Sequence, residues 1–179
     1  IYRFNATEWR LTLHEKQRIL LSSIFGVDID DQAVEVTRFS LLLHLIEDET
    51  NESISALLST HGQRALPKLD VNIKCGNSLV DSVHLSKFIA HPKQPLLERI
   101  NPFDWEGEFP AIAAKGGFNL IIGNPPYVRI QNMVGYSPEE VHFYQSAHSA
   151  YICGKNGNFD KYNLFVERAL QLAAPNGGI

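Results

Sequence analysis

Apolar and polar positions along this chain switch between a period of 3.6 and a period of 2, in an order that sorts the sequence into helices and strands. Residues 11–21, "LTLHEKQRILL", carry apolar side chains at helical spacing and lead into "SSIFGVDI", a short β-rich run. "DDQAVEVTRFSLLLHLIEDE" then reads as an amphipathic helix with Asp30 or Asp31 as its cap. Residues 50–68 form a polar connection, and "DVNIKCGNSL" restores a strand over 71–75. The stretch 80–115 has no clear period and predicts mostly loop with one or two short helices. Residues 118–122 make the most apolar strand of the chain, expected to be buried. "SPEEVHFYQSAHSAY" opens a helix at Ser-Pro-Glu-Glu, and "DKYNLFVERALQLAA" is a second amphipathic helix closed by "PNGG", where a new strand begins.

Strands and helices alternating at these lengths predict an α/β protein, a parallel sheet covered by helices. Such sheets hold their ligands beyond the carboxyl ends of the strands. Three places therefore stand out: Asp28, Asn77 with Ser78, and the run Asn124, Pro125, Pro126, Tyr127.

Composition narrows what those places can do. A chain of 179 residues, 44% hydrophobic and 20% charged, is long enough for one proper core, so one domain is the default. No apolar run is long enough to span a bilayer, and no secretory leader is visible. Cys75 and Cys153 are far apart, which suggests neither a disulfide framework nor a zinc cluster; two reduced thiols in a cytoplasmic protein are expected. His44, His142 and His148 show no ligand spacing, so no metal site is expected. A formal charge of -4 argues against a broad basic surface for nucleic acid, whose phosphates require clustered Lys and Arg. If the chain acts on DNA, most of the grip lies elsewhere.

Asp28 follows "FGV" ahead of a helix, where an acid can accept hydrogen bonds from both hydroxyls of a ribose or simply cap the helix. Asn77 can offer its amide to an adenine edge or can turn the chain beside Gly76. The run "NPPY" is more specific: at roughly 5% abundance per residue type, four specified residues in a row occur by chance in about one such chain per thousand. Prolines end strands for structural reasons alone, but here they also have a chemical consequence. Pro125 and Pro126 lack N–H groups, so the main chain around them presents carbonyl acceptors without competing donors. Asn124 adds a side-chain acceptor, and Tyr127 a flat face on which a base can stack. The natural guest is a planar group with two N–H bonds to donate, such as the exocyclic amine of a nucleobase. Holding both hydrogens draws that nitrogen toward tetrahedral geometry and stabilises the positive charge that grows on it during attack.

"NLIIGNPPYVRIQ" resembles the catalytic loop of the S-adenosylmethionine-dependent adenine DNA methyltransferases, in particular the restriction-modification branch with fused restriction and methylase activities. "LTLHEKQRILLSSIFGVDIDDQAVEVTRFSLLL", "LPKLDVNIKCGNSL" and "FDKYNLFVERALQLAAPNGG" are similar to blocks of that family in the same order. The resemblance implies a Rossmann-like methyltransferase fold, with Asp28 at the ribose of the cofactor S-adenosyl-L-methionine, Ile29 also binding the cofactor, and Asn77 and Ser78 near its adenine. It also implies Asn124, Pro125, Pro126 and Tyr127 as the site for a flipped-out adenine in double-stranded DNA, and a fused or associated endonuclease. Asn77 stands where many relatives carry an acid, and Asn119 where they carry Asp. The family's glycine-rich cofactor loop is expected before Ile1 and its target recognition domain after Ile179, which makes 1–179 the central part of a methyltransferase domain. Since the same cup of acceptors also serves methyltransferases of protein glutamine or of guanine amines in RNA, those acceptors and a catalytically silent binding module remain alternatives.

Overall fold

The computed structural model describes residues 2–3, 7, 9–47, 49–52, 55 and 67–179. Length alone favours one core, yet the chain divides into two compact units, Ile1–Cys75 and Gly76–Ile179, each with its own cluster of buried apolar side chains.

The first unit opens with a pairing that no periodicity announces, because each strand is two residues long: β1 (Tyr2–Arg3) lies antiparallel to β2 (Trp9–Arg10). In α1 (Leu13–Ser23) the Thr12 hydroxyl accepts from the Glu15 N–H, satisfying one of the orphan donors of the first turn. After β3 (Gly26–Asp28) comes α2 (Asp31–Ile46), and of its two candidate caps Asp30 is the one used, its carboxylate accepting from the Gln32 N–H at 2.9 Å. β4 (Ile73–Cys75) runs parallel to β3 with Asp28 opposite Cys75. Leu13, Leu20, Val34, Leu45, Leu69 and Ile73 form the core. Two polar ties fix it. The buried Asn72 amide donates to the Leu21 and Ile24 carbonyls at the end of α1, and the Arg38 guanidinium donates to the Ile73 carbonyl. α2 is less one-sided than its pattern predicts, since Val36, Phe39 and Leu43 are exposed while Val34 and Leu45 are buried. The polar connection expected over 50–68 falls largely outside the described residues.

The second unit is more helical than its sequence suggests. Where one or two short helices are expected there are four: α3 (Ser82–Phe88), α4 (Gln94–Ile100), α5 (Trp105–Glu108) and α6 (Pro110–Ala113). They are too short to display a period, and they rest on other supports. Asp81 caps α3, prolines occupy the first turns of α4 and α6, and Phe103, Trp105, Phe109 and Phe118 pack ring against ring at 5.3–6.2 Å. β5 (Phe118–Leu120) follows, then α7 (Ile130–Met133), α8 (Pro138–Gln145) and α9 (Lys161–Leu172). β6 (Ala173–Gly178) leaves α9 directly and runs parallel to β5, so "PNGG" is strand rather than only a helix stop. The register is irregular, shifting between Phe118↔Ala173 and Leu120↔Gly178. That close approach requires glycine: a Cβ on Gly117, at φ +116°, would lie 2.5 Å from the Leu172 carbonyl oxygen.

β5 is not the buried strand its apolar run predicts. Leu120 is 63% exposed and Ile122 86%, because among the described residues β5 pairs with β6 alone. The core lies instead under the helices, where Tyr144, Tyr151, Phe143, Ile130, Met133 and Leu164 are fully enclosed. The α/β class thus takes the form of small parallel pairs with helices rather than one continuous described sheet. Among the described residues no helix is long and apolar enough to cross a membrane.

Candidate active site

Asp28 closes β3 in the first unit, with an exposed side chain. Its Oδ1 accepts from the Asp30 N–H at 2.8 Å in an Asx-type turn; Oδ2 has no partner among the described residues. Ile29 beside it is exposed, and its carbonyl accepts from the Cys75 thiol at 3.5 Å.

The other nominated residues belong to the second unit. Asn77 is 3% exposed, and its side chain is fully used: Oδ1 accepts from the Leu79 N–H at 3.1 Å, and Nδ2 donates to Glu140 Oε2 at 3.2 Å. Its backbone N–H donates to the Asn101 carbonyl at 2.6 Å. Gly76 is required just before it, since a Cβ there would come within 2.7 Å of the Phe103 ring. Ser78 is half-buried, and its carbonyl accepts from the Trp105 indole N–H at 3.0 Å.

Glu140, which sequence reasoning missed, gathers these contacts. "SPEE" has the form of a capping box, in which the acid would reach back to the cap's own N–H. Here it does not. The carboxylate turns into the core, 7% exposed, and accepts from the Ser137 hydroxyl at 2.6 Å, the Tyr144 hydroxyl at 2.7 Å and Asn77, with Lys161 Nζ at 3.6 Å. Burial disfavours its charge, but Lys161 and the three hydrogen bonds outweigh burial and hold the pKa below the ordinary 4.5. A signal for this was present: Glu140 lies on the same helical stripe as Val141, Phe143 and Tyr144, all buried, and an acid on an apolar face needs partners.

The "NPPY" segment contrasts with that buried network. The last sheet bond goes from the Ile121 N–H to the Gly178 carbonyl, at 2.9 Å. Among the described residues no hydrogen bond reaches the Asn124 side chain or the carbonyls of residues 122–127. Asn124 and Pro126 are exposed, Pro125 is half-buried and Tyr127 is 82% exposed. Tyr127 is nevertheless held in place, its ring stacked on that of Tyr162 with centroids 5.6 Å apart and planes 9° from parallel. The backbone explains why: the Lys161 N–H donates to the Val128 carbonyl at 2.8 Å, the Ile130 N–H to the Phe159 carbonyl at 3.1 Å, and Arg129 bridges Asp160 antiparallel. That register sets residue 127 opposite 162. Tyr162 had been visible only as a helix position.

Comparison with known proteins decides the family. The model of the Eco57I restriction-modification methylase family matches residues 22–179. The chain belongs to that family. It is 36% identical over 170 residues to the type II restriction enzyme and methyltransferase RM.Eco57I of Escherichia coli, covering 94% of this chain and 15% of that protein. RM.MjaORFECS2P of Methanocaldococcus jannaschii is 44% identical over 66 residues, 37% of this chain and 5% of that protein. The adenine-specific methyltransferase PglX of Streptomyces coelicolor is 26% identical over 130 residues, 67% of this chain and 10% of that protein. This member of the Eco57I family thus spans about 15% of the length of its relative RM.Eco57I. No solved structure matches it.

Proposed function

We propose that this chain carries the acceptor site of an enzyme that transfers a methyl group from S-adenosyl-L-methionine to the exocyclic amine of adenine in a specific sequence of double-stranded DNA, within a restriction-modification system. The observation that carries the proposal is the uncommitted acceptor set of Asn124 and the 122–127 carbonyls beside the held ring of Tyr127, in a chain of this family. The names of RM.Eco57I and PglX support the same reaction, and that of RM.Eco57I supports a fused endonuclease. In this proposal residues 1–179 are the central part of a Rossmann-like methyltransferase domain in a cytoplasmic protein.

The cofactor supplies an electrophilic methyl on sulfonium sulfur. Asp28 fits its ribose, since one carboxylate oxygen is fixed by the Asp30 N–H and the other remains to accept from hydroxyls. Ile29 offers an exposed apolar side chain beside it. Asn77 fits a positioning role better than direct reading of the cofactor adenine, because both ends of its amide are already bonded and the turn backbone is engaged by Asn101, Val80 and Trp105; the Ser78 hydroxyl is left for the ligand.

The target base must leave the duplex stack to reach the loop. Tyr127 then stacks on one face of it, and Asn124 with the proline-flanked carbonyls accepts from its two N–H groups. As the amine nitrogen forms its bond to the methyl carbon, whose bond to sulfur would break with the electron pair left on sulfur, the nitrogen becomes positive, and these acceptors are stronger partners for it then than before. One N–H proton afterwards passes to water, which reaches the exposed loop.

The test uses the complete natural protein with labelled methyl donor and duplex DNA, with the product read as methyl-adenine by mass spectrometry. Label on DNA adenine is the expected result. Label on protein or RNA, or none, would overturn the assignment.

A further inference from the structure

Side chains along the antiparallel pairing of 128–130 with 159–161 alternate between two faces. Val128, Ile130 and Phe159 turn into the core, and Lys161 turns inward to Glu140. The opposite face has a different character. It carries Tyr127 stacked on Tyr162, Arg129 opposite Asp160, and Gln131 hydrogen-bonded to Asn158. An open cavity of about 530 Å³ lies along it, lined by Arg129, Gln131, Asn132, Asn158, Asp160 and Asn163, with part of the largely buried Phe159 at its wall. Among the described residues the Arg129 guanidinium, the Asp160 carboxylate and the Asn132 and Asn163 amides have no hydrogen bond or ion pair. Asp160 precedes α9 yet makes no side-chain capping bond.

We propose that this outer face is a nucleotide subsite, holding the nucleotide next to the flipped adenine and reading the edge of its base. The inference rests on the methylation of DNA adenine proposed above. The lining is chemically suited to a base edge: a planar guanidinium fork, amides that both donate and accept, and a carboxylate that accepts from an exocyclic amine. A patch for phosphate alone would be uniformly cationic, and Asp160 would repel its ligand. The volume falls within the range of about 300–1,000 Å³ common to small-ligand sites. Position fits as well. Residues two apart on one face of an extended strand are about 7 Å apart, so a group bound at Arg129 is a near neighbour of one stacked on Tyr127.

The experiment uses the complete protein and duplexes in which the nucleotides on either side of the target adenine are varied one at a time, with KM and turnover measured for each. Wild type should discriminate among bases at one neighbouring position. Arg129→Ala should raise KM for the cognate duplex about tenfold and narrow that discrimination about tenfold, leaving more distant positions unchanged. Arg129→Lys should recover part of the KM but not the discrimination, because an ammonium keeps the charge without the fork. Asn163→Ala, at an exposed position, gives the same readout should the arginine variant fail to fold. Variants that keep the wild-type neighbour profile and a KM within twofold, in an enzyme that still methylates DNA adenine, would overturn this inference alone. A wild-type protein that puts no methyl on DNA would overturn it together with the proposed function.

Discussion

Asn77 and Asn124 are two asparagines that the sequence nominates for the same kind of work, and the structure treats them in opposite ways. Asn77 is enclosed, with its donor on Glu140 and its acceptor on the Leu79 N–H. Asn124 is exposed, with neither end bonded among the described residues. Burial accounts for the difference. An enclosed amide left unpaired costs about 1–3 kcal/mol, so Asn77 is bonded within the protein, whereas solvent can satisfy the exposed Asn124. The same residue type is a strut in one loop and an exposed, unbonded amide in the other.

The comparison breaks most sharply at Glu140. Glu140→Ala would strip Asn77, Ser137, Tyr144 and Lys161 of a shared partner and leave an ammonium half-enclosed, with an expected loss of about 3–5 kcal/mol in urea unfolding. A loss below about 1 kcal/mol would mean that the backbone alone holds the Asn77 turn. Next in size is the exchange of the two asparagines themselves. Asn124→Ala should lower single-turnover methylation on the order of a hundredfold while leaving stability within about 0.5 kcal/mol and DNA binding intact. Asn77→Ala should do the reverse in kind, costing about 1–3 kcal/mol of stability. Stability loss at Asn124 with none at Asn77 would invert the comparison.

Tyr127→Ala should weaken capture of the flipped base by about 1–3 kcal/mol, read with a fluorescent adenine analogue at the target position, and Tyr127→Phe should restore most of it. Equal losses in both variants would assign the effect to the hydroxyl and remove the stacking role. The smallest effect is on pH dependence. The folded-state pKa of Glu140 lies below 4.5, so its charged form stabilises the fold above that value and the contribution fades as pH falls through the folded pKa. Acid titration of unfolding free energy should therefore fall less steeply below about pH 4.5 in Glu140→Gln than in wild type. Identical acid limbs would place the carboxylate outside the network.

Periodicity located the longer helices and the β3, β4 and β5 strands to within a few residues, because those patterns are local and repeat along the chain. Capping at Asp30 and the acceptor run at 124–127 were legible for the same reason: all the atoms that define them lie within a few positions. Single-turn α5 and α6 were not, since four residues cannot show a period and their support is an aromatic cluster. The exposure of Leu120 and Ile122 was misread because an apolar strand states only that it can be covered, not what covers it. By itself, then, the sequence determined the longer elements and the run of acceptor-bearing residues at 124–127. Only the tertiary structure decided the partners: Asn77 with Glu140, and Tyr127 with Tyr162. Those pairs join segments far apart in the chain, and their contact depends on packing and backbone register rather than on any local pattern.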